Sequence, residues 1–168
     1  SYNIAGMGLF DSLAHSLTTI STGGYSTHSQ SFGFFDNARI EYIAVVFMIV
    51  GSLPFVLYLQ FVRGKPANLF LDSQVITFMV ILVLSIILCT IYIQTSIGMD
   101  TWEALRRATF NVTSIFTGTG YVSADYMLWG PFVIALFFFL MLMGGCAGST
   151  SCGLKIFRFQ ILLKQVIV

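Results

Sequence analysis

Ile20-Ser21-Thr22-Gly23-Gly24-Tyr25-Ser26-Thr27 and, 96 residues further on, Phe116-Thr117-Gly118-Thr119-Gly120-Tyr121-Val122-Ser123 decide how this chain is read. Each is a short Thr/Gly/Tyr run that follows an amphipathic segment and precedes a long apolar one. Glycine tolerates the backbone angles that turn consecutive carbonyls toward one axis. Peptide oxygens arranged in that way can take the place of a cation's water shell.

The comparison pattern is the Thr-Val-Gly-Tyr-Gly loop of potassium-selective filters. Thr22-Gly23-Gly24-Tyr25-Ser26 matches it at the first, third and fourth positions, and Gly118-Thr119-Gly120-Tyr121-Val122 at the third and fourth. The expected ion ligands are the backbone carbonyls of Thr22, Gly23, Gly24, Gly118, Thr119 and Gly120. Thr22 can add a hydroxyl to that ladder and Gly118 cannot, which predicts a weaker lowest site in the second copy and looser selectivity. A single Thr-x-Gly-Tyr match reads as a loop turn. Two co-linear copies, each set between a short helix and a spanning segment, read as a filter.

Composition points to a membrane. Only 9% of residues are charged and 57% are apolar, with mean hydropathy +0.87, whereas soluble domains average about 25% charged. The net charge of +1 offers no basic face for nucleic acid. Cys89, Cys146 and Cys152 lie in apolar runs and read as small buried packing residues. Ser1-Tyr2-Asn3 has no basic leader region. With no initiator Met and an apolar end at Gln165-Val166-Ile167-Val168, the chain reads as a piece of a longer one.

Leu9, Phe10, Leu13, Leu17 and Ile20 recur at helical spacing. The resulting helix over 9–20 is too short to cross a bilayer, which takes roughly 20 residues, so it is expected to re-enter and end at the first filter, 21–26. Residues 27–41, with Asp36, Arg39 and Glu41, read as a wet loop. Residues 42–62 form an uncharged span broken at Gly51-Ser52-Leu53-Pro54, since proline removes a backbone donor. Freed carbonyls at that depth must be packed in protein or face a water-filled cavity. That break reads either as a packed kink or as a gate, with Gly51, Ser52 and Pro54 its candidates. Arg63-Gly64-Lys65-Pro66 is a basic turn.

Residues 73–99 form an outer, lipid-facing helix. Asp100-Thr101-Trp102-Glu103 has the form of a capping box opening a second short helix over 101–116, which ends at the second filter, 117–122. A further span, 126–165, is interrupted by Gly144-Gly145-Cys146-Ala147-Gly148-Ser149-Thr150-Ser151-Cys152-Gly153, whose small residues allow close approach or a break. Arg63 and Lys65 after one span, and Lys155, Arg158 and Lys164 after another, put those ends in the cytoplasm by the positive-inside rule. Both filters then re-enter from outside. Arg106 and Arg107 run against that trend. The two units share one orientation, unlike the opposed halves of inverted-repeat transporters. Each short helix turns its partially negative C-terminus inward, which favours a cation.

These features together resemble the TrkH/KtrB/HKT superfamily of potassium transporters. The most specific piece is Gly144-Gly145-Cys146-Ala147-Gly148-Ser149-Thr150, leading to Gly153-Leu154-Lys155 and Arg158. The resemblance covers essentially the whole chain. It implies an all-α integral membrane fold of tandem helix–pore loop–helix units, here the last two of four. Residues 1–72 would be a third unit without its first helix, and 73–168 a complete fourth. It makes Gly24 and Gly120 the filter glycines and Gly51–Pro54 the gating loop. Arg158, with Lys155 as the alternative, becomes the basic residue at the gate. Ser151-Cys152 stand where the family often has two glycines. The resemblance further implies K⁺ as the transported ion with no organic cofactor, a homodimer, and a cytosolic nucleotide-binding ring of the TrkA kind. The location implied is the bacterial inner membrane.

Other classes fit less well. Gly148-Ser149-Thr150-Ser151-Cys152-Gly153 has phosphate-loop glycine spacing, but Leu154 stands where the lysine is needed. An intramembrane hydrolase would need Ser149 beside His15 or His28, which the order of segments keeps apart. A non-conducting structural fragment is the remaining alternative, because two units cannot close a fourfold ring.

Overall fold

The computed structural model describes residues 1–65 and 67–167. Pro66, the end of the expected basic turn, and Val168 lie outside the described residues. Among those described, eight α-helices follow one another with no strand. They are α1 Leu9–Ile20, α2 Ala38–Ser52, α3 Phe55–Val62, α4 Ala67–Leu71, α5 Ser73–Ile97, α6 Thr101–Phe116, α7 Pro131–Leu142 and α8 Ile156–Ile167. Single 3-10 turns cover Ser31–Phe34 and Tyr126–Trp129.

The helix ends follow local chemistry. Asp72 caps α5 by accepting from the N–H groups of Gln74 and Val75, and Gly98 ends it in the left-handed region at φ 74°. Glycine meets no Cβ penalty there. Among the described residues, α5 is the one helix long and apolar enough to cross a bilayer unaided. Asp100 caps α6 through the Trp102 N–H. The second half of the expected capping box does not close, since Glu103 instead faces Arg107 at 3.8 Å.

Helix α6 packs along α5 through Ala104, Ala108 and Val112, all buried, and Phe116 stacks on Phe78 at 4.9 Å. Small residues at that seam bring the backbones together. A second buried cluster joins Tyr2, Met7, Phe32, Phe110 and Tyr121. The short helices obey the repeat seen in sequence, with α1 ending at Ile20 and α6 at Phe116, again 96 residues apart.

Three expectations need correcting. The loop over 27–41 is not simply wet: Phe32 is fully buried, helix α2 already starts at Ala38, and Glu41 is 1% exposed. The 42–62 segment is broken where Pro54 predicts, but α2 and α3 meet at 93°, so α3 does not carry the span onward. In the last unit, α7 is only 12 residues long and everything from Met143 to Lys155 is non-helical. The expected break there is longer than a kink.

The two breaks satisfy each other. A helix that stops inside packed protein leaves carbonyls without partners, and here each break supplies the other's donors. Ser52 O accepts from Cys146 N–H at 3.0 Å and Gly51 O from Thr150 N–H at 3.1 Å, while Phe55 N–H donates to Gly148 O at 3.1 Å. Gly145 lies so close that an added Cβ would fall 2.7 Å from Ser52 O. A parallel bridge between Met143 and Leu154 closes the base of the 143–155 loop.

Candidate ion-binding site

The two Thr/Gly/Tyr stretches lie in contact. Gly24, Gly118 and Gly120 all hold positive φ, at 69°, 73° and 85°. A Cβ on Gly24 would stand 1.8 Å from Thr119 O. Their N–H groups turn back onto the helices that precede them: Gly23 N–H reaches Thr18 O at 2.8 Å, and Thr119 and Gly120 N–H reach Ser114 O at 2.9 and 3.2 Å. The carbonyls of Thr22, Gly23, Gly24, Gly118, Thr119 and Gly120 accept no hydrogen bond among the described residues. Thr22 and Thr119 are buried, where main-chain oxygens are normally paired, and with the more open Gly23, Gly24, Gly118 and Gly120 on two touching loops the six carbonyls form an oxygen-rich site. A cleft of about 680 Å³ lies against the same stretches, lined by Gly24, Tyr25, Gly120 and Asp125 among others.

Polar braces hold the loops at equivalent positions. His15 on α1 meets Ser26 Oγ at 3.0 Å, and Asn111 on α6 donates to Ser123 Oγ at 3.0 Å while accepting from its N–H at 3.2 Å. Both are fully buried, and they are 96 residues apart. Tyr121 binds the second stretch to the first unit, with its hydroxyl 2.5 Å from Thr18 Oγ1 and 3.3 Å from Thr19 Oγ1. It is fully buried, whereas its counterpart Tyr25 is 79% exposed. Helix α1 covers Tyr121, and no described residue covers Tyr25.

Arg106 and Arg107 gather on the Glu41 carboxylate at 2.7 and 3.3 Å and on Asp36 at 2.7 and 2.8 Å. Arg107 also donates to Ser123 O at 2.7 Å, directly after the second stretch. Their placement against the charge rule is thus a local neutralisation by carboxylates of the other unit. The Arg106 hydrogen bond and the Arg107 charge hold the Asp36 carboxyl below the usual carboxylate range.

Beneath the stretches sits the 143–155 loop. Thr22 Oγ1 lies 3.0 Å from Thr150 O and 2.8 Å from Ser21 O, either of which can take its proton, so the hydroxyl is oriented by the loop while its oxygen lone pairs are not used in donating. Gly118 packs on Cys152, whose Cβ would lie 3.0 Å from a Cβ there. Cys89 and Cys146 are buried as expected, but Cys152 is exposed. Of the candidate gate residues, Gly51 and Ser52 accept from this loop, and Pro54 precedes Phe55, whose N–H reaches Gly148 O. Lys155 folds back onto it, donating to Ser151 O, to Ser151 Oγ at 3.1 Å and to Ser149 Oγ at 3.4 Å. Arg158 does not join them. It is exposed on α8, and its side chain makes no hydrogen bond among the described residues.

A family model described as TrkH, a cation transport protein, matches residues 3–168. The chain belongs to the TrkH family. It is 41% identical over 164 residues to the Trk system potassium uptake protein TrkI of Halomonas elongata, covering 97% of this chain and 33% of that one. Identity to the Trk system potassium uptake protein TrkG of Escherichia coli K12 is 34% over 165 residues, covering 98% and 34%. The crystal structure of the potassium transporter TrkH from Vibrio parahaemolyticus superposes with a TM-score of 0.92 at 33% identity, covering 99% of this chain and 38% of that one. The chain thus has the fold of that transporter's matched part and spans about a third of the length of its curated relatives.

His15, Asn111, Glu41 and Thr150 were not singled out as site residues by sequence. The repeat held a signal for the first two, since it sets a histidine over an asparagine in otherwise unlike helices. Glu41 and Thr150 gave none, because their partners are 65 and 128 residues away.

Proposed function

We propose that the parent protein takes up K⁺ across the bacterial cytoplasmic membrane through a carbonyl-lined filter with a gate below it. Residues 1–72 are the end of its third pore unit and residues 73–168 its fourth. The observation that carries this reading is the set of six unpartnered carbonyls on two stretches in contact. Carbonyls of Thr22, Gly23, Gly24, Gly118, Thr119 and Gly120 replace the ion's water, Tyr121 holds the second loop on α1, and Tyr25 has the same role toward a pore unit outside this chain. Homology to Trk potassium uptake proteins supports K⁺ as cargo.

The gate is the meeting of the Gly51–Pro54 break with the 143–155 loop. Lys155 has the contacts there that sequence gave to Arg158, so it sets a positive charge against inward ions, with Arg158 further toward the cytoplasm. The remaining units of the parent chain complete the ring and cover Tyr25. The homodimer and the cytosolic nucleotide-binding ring rest on the family resemblance. The hydrolase alternative lacks support: Ser149 Oγ meets Cys146 O, Ser151 Oγ and Lys155, while His15 and His28 face Ser26 and Asp11.

Ion flux in the full-length protein tests this. Gly120→Ser forces a side chain into a φ of +85° and is expected to reduce K⁺/Na⁺ discrimination. Lys155→Ala is expected to raise conduction. Unchanged flux and discrimination in both would overturn the assignment.

A further inference from the structure

We propose that Thr22 and Thr150 form a clasp that ties the position of the inner loop to the geometry of the first filter stretch. This rests on the filter-and-gate reading above. Thr22 and Gly118 occupy the same place in the repeat, and both hold positive φ, at 49° and 73°. Glycine adopts that backbone freely, whereas for a β-branched residue it is a genuine outlier. Threonine at position 22 therefore costs local strain that glycine at the same place in the other unit avoids. Strain of this kind persists where surrounding contacts over-determine it, and here local bonds to Thr19 O and Ser21 O are joined by long-range contacts to the inner loop and to Gly51.

Thr22 is buried, its hydroxyl lies 3.0 Å from Thr150 O as well as 2.8 Å from Ser21 O, and its methyl faces Gly51. Thr150 in turn fastens three segments. Its hydroxyl lies 3.0 Å from both Ile20 O, at the end of α1, and Gly51 O, at the break of α2, and its N–H donates to Gly51 O at 3.1 Å. One residue of the inner loop is thus hydrogen-bonded to the helix, the break and the filter of the other unit. In the second copy Gly118 packs on Cys152, and no hydrogen bond joins the loop to residues 117–122 among the described residues. Movement of the loop must break hydrogen bonds at the first stretch and merely relieves packing at the second. Gate opening is therefore sensed by one side of the filter.

The test uses the full-length protein in proteoliposomes, with Rb⁺ and Na⁺ as probes. The variants are Thr22→Gly, Thr150→Val, their combination, and Thr150→Ser. Thr22→Gly copies the second unit and removes the strain with the hydroxyl. Thr22→Gly and Thr150→Val are each expected to raise resting Rb⁺ flux roughly two- to tenfold, the effect of one lost hydrogen bond, and to lower the Rb⁺/Na⁺ ratio. Thr22→Gly removes the bond to Thr150 O, and Thr150→Val removes those of the Thr150 hydroxyl to Ile20 O and Gly51 O. Because the two lie in series in one connection between loop and first stretch, the combination should go no further than the larger single change. Thr150→Ser should behave as wild type. A residue that only held the fold would instead lower flux together with protein yield. Single variants within about twofold of wild type, or independent effects that multiply in the combination, would overturn the clasp. Gly120→Ser, run in parallel, separates the two claims. If it alters discrimination while Thr150→Val does not, only the clasp is wrong. If neither does, the filter reading fails as well.

Discussion

Replacing Gly24 with alanine should damage the filter more than any other single methyl in the chain. The added Cβ would stand 1.8 Å from Thr119 O and 2.9 Å from Thr119 C, where Cβ atoms essentially never come within 3.0 Å. One stretch must therefore retreat by about 1.2 Å. A non-glycine residue at φ +69° adds about 1–2 kcal/mol of backbone strain. The displaced group is an unpartnered carbonyl, so the loss falls on ion coordination before it falls on packing. Gly120→Ala is the control, because a Cβ there meets nothing within 4 Å and carries the φ penalty alone. The assay is ⁸⁶Rb⁺ and ²²Na⁺ uptake by the purified full-length protein in liposomes. Gly24→Ala should lower the Rb⁺/Na⁺ ratio by about tenfold, equivalent to 1.4 kcal/mol, and Gly120→Ala by less. A Gly24→Ala protein that elutes as wild type and keeps the wild-type ratio would refute the claim that these stretches coordinate the ion.

Glu41→Ala would leave Arg106 and Arg107 without their most buried carboxylate, and removing one partner of a buried pair costs about 3–5 kcal/mol. Because the arginine side chains are 20% and 13% exposed, the lower end is expected, as a fall in the detergent melting temperature. Tyr121→Phe deletes the hydroxyl that reaches Thr18 and Thr19 and should cost about 1 kcal/mol, read from the same melts. Asp36 titrates below the usual carboxylate range in the folded chain. Its contribution is complete above the ordinary aspartate value of about 3.9 and is lost as pH falls through the lower folded value. Melting temperature should therefore change little with this group from pH 7 to 5 and fall below about pH 4, a fall that Asp36→Asn reduces.

Much of this was readable from residues alone, and what was not has a common cause. The ends of α1 and α6 were legible because Thr/Gly/Tyr runs stop a helix locally. The position of the α2 break was legible because Pro54 lacks a donor. Its 93° angle was not, since pairing of Ser52 with Cys146 and of Phe55 with Gly148 sets it across some 90 residues. Glu41 looked like a loop charge because a carboxylate reads as exposed until the opposing guanidiniums are known. The Thr22 hydroxyl looked like an ion ligand by analogy with a fourfold filter. Its contact with Thr150 O, on a loop from the other unit, had no local signal.

The most direct measurement is anomalous diffraction from crystals of the full-length protein soaked in Rb⁺. The account predicts peaks between the two stretches, within hydrogen-bond-like distance of the carbonyl oxygens of Thr22, Gly23, Gly24, Gly118, Thr119 and Gly120. Full Rb⁺ occupancy elsewhere in the protein, with none between Gly24 and Gly120, would contradict it.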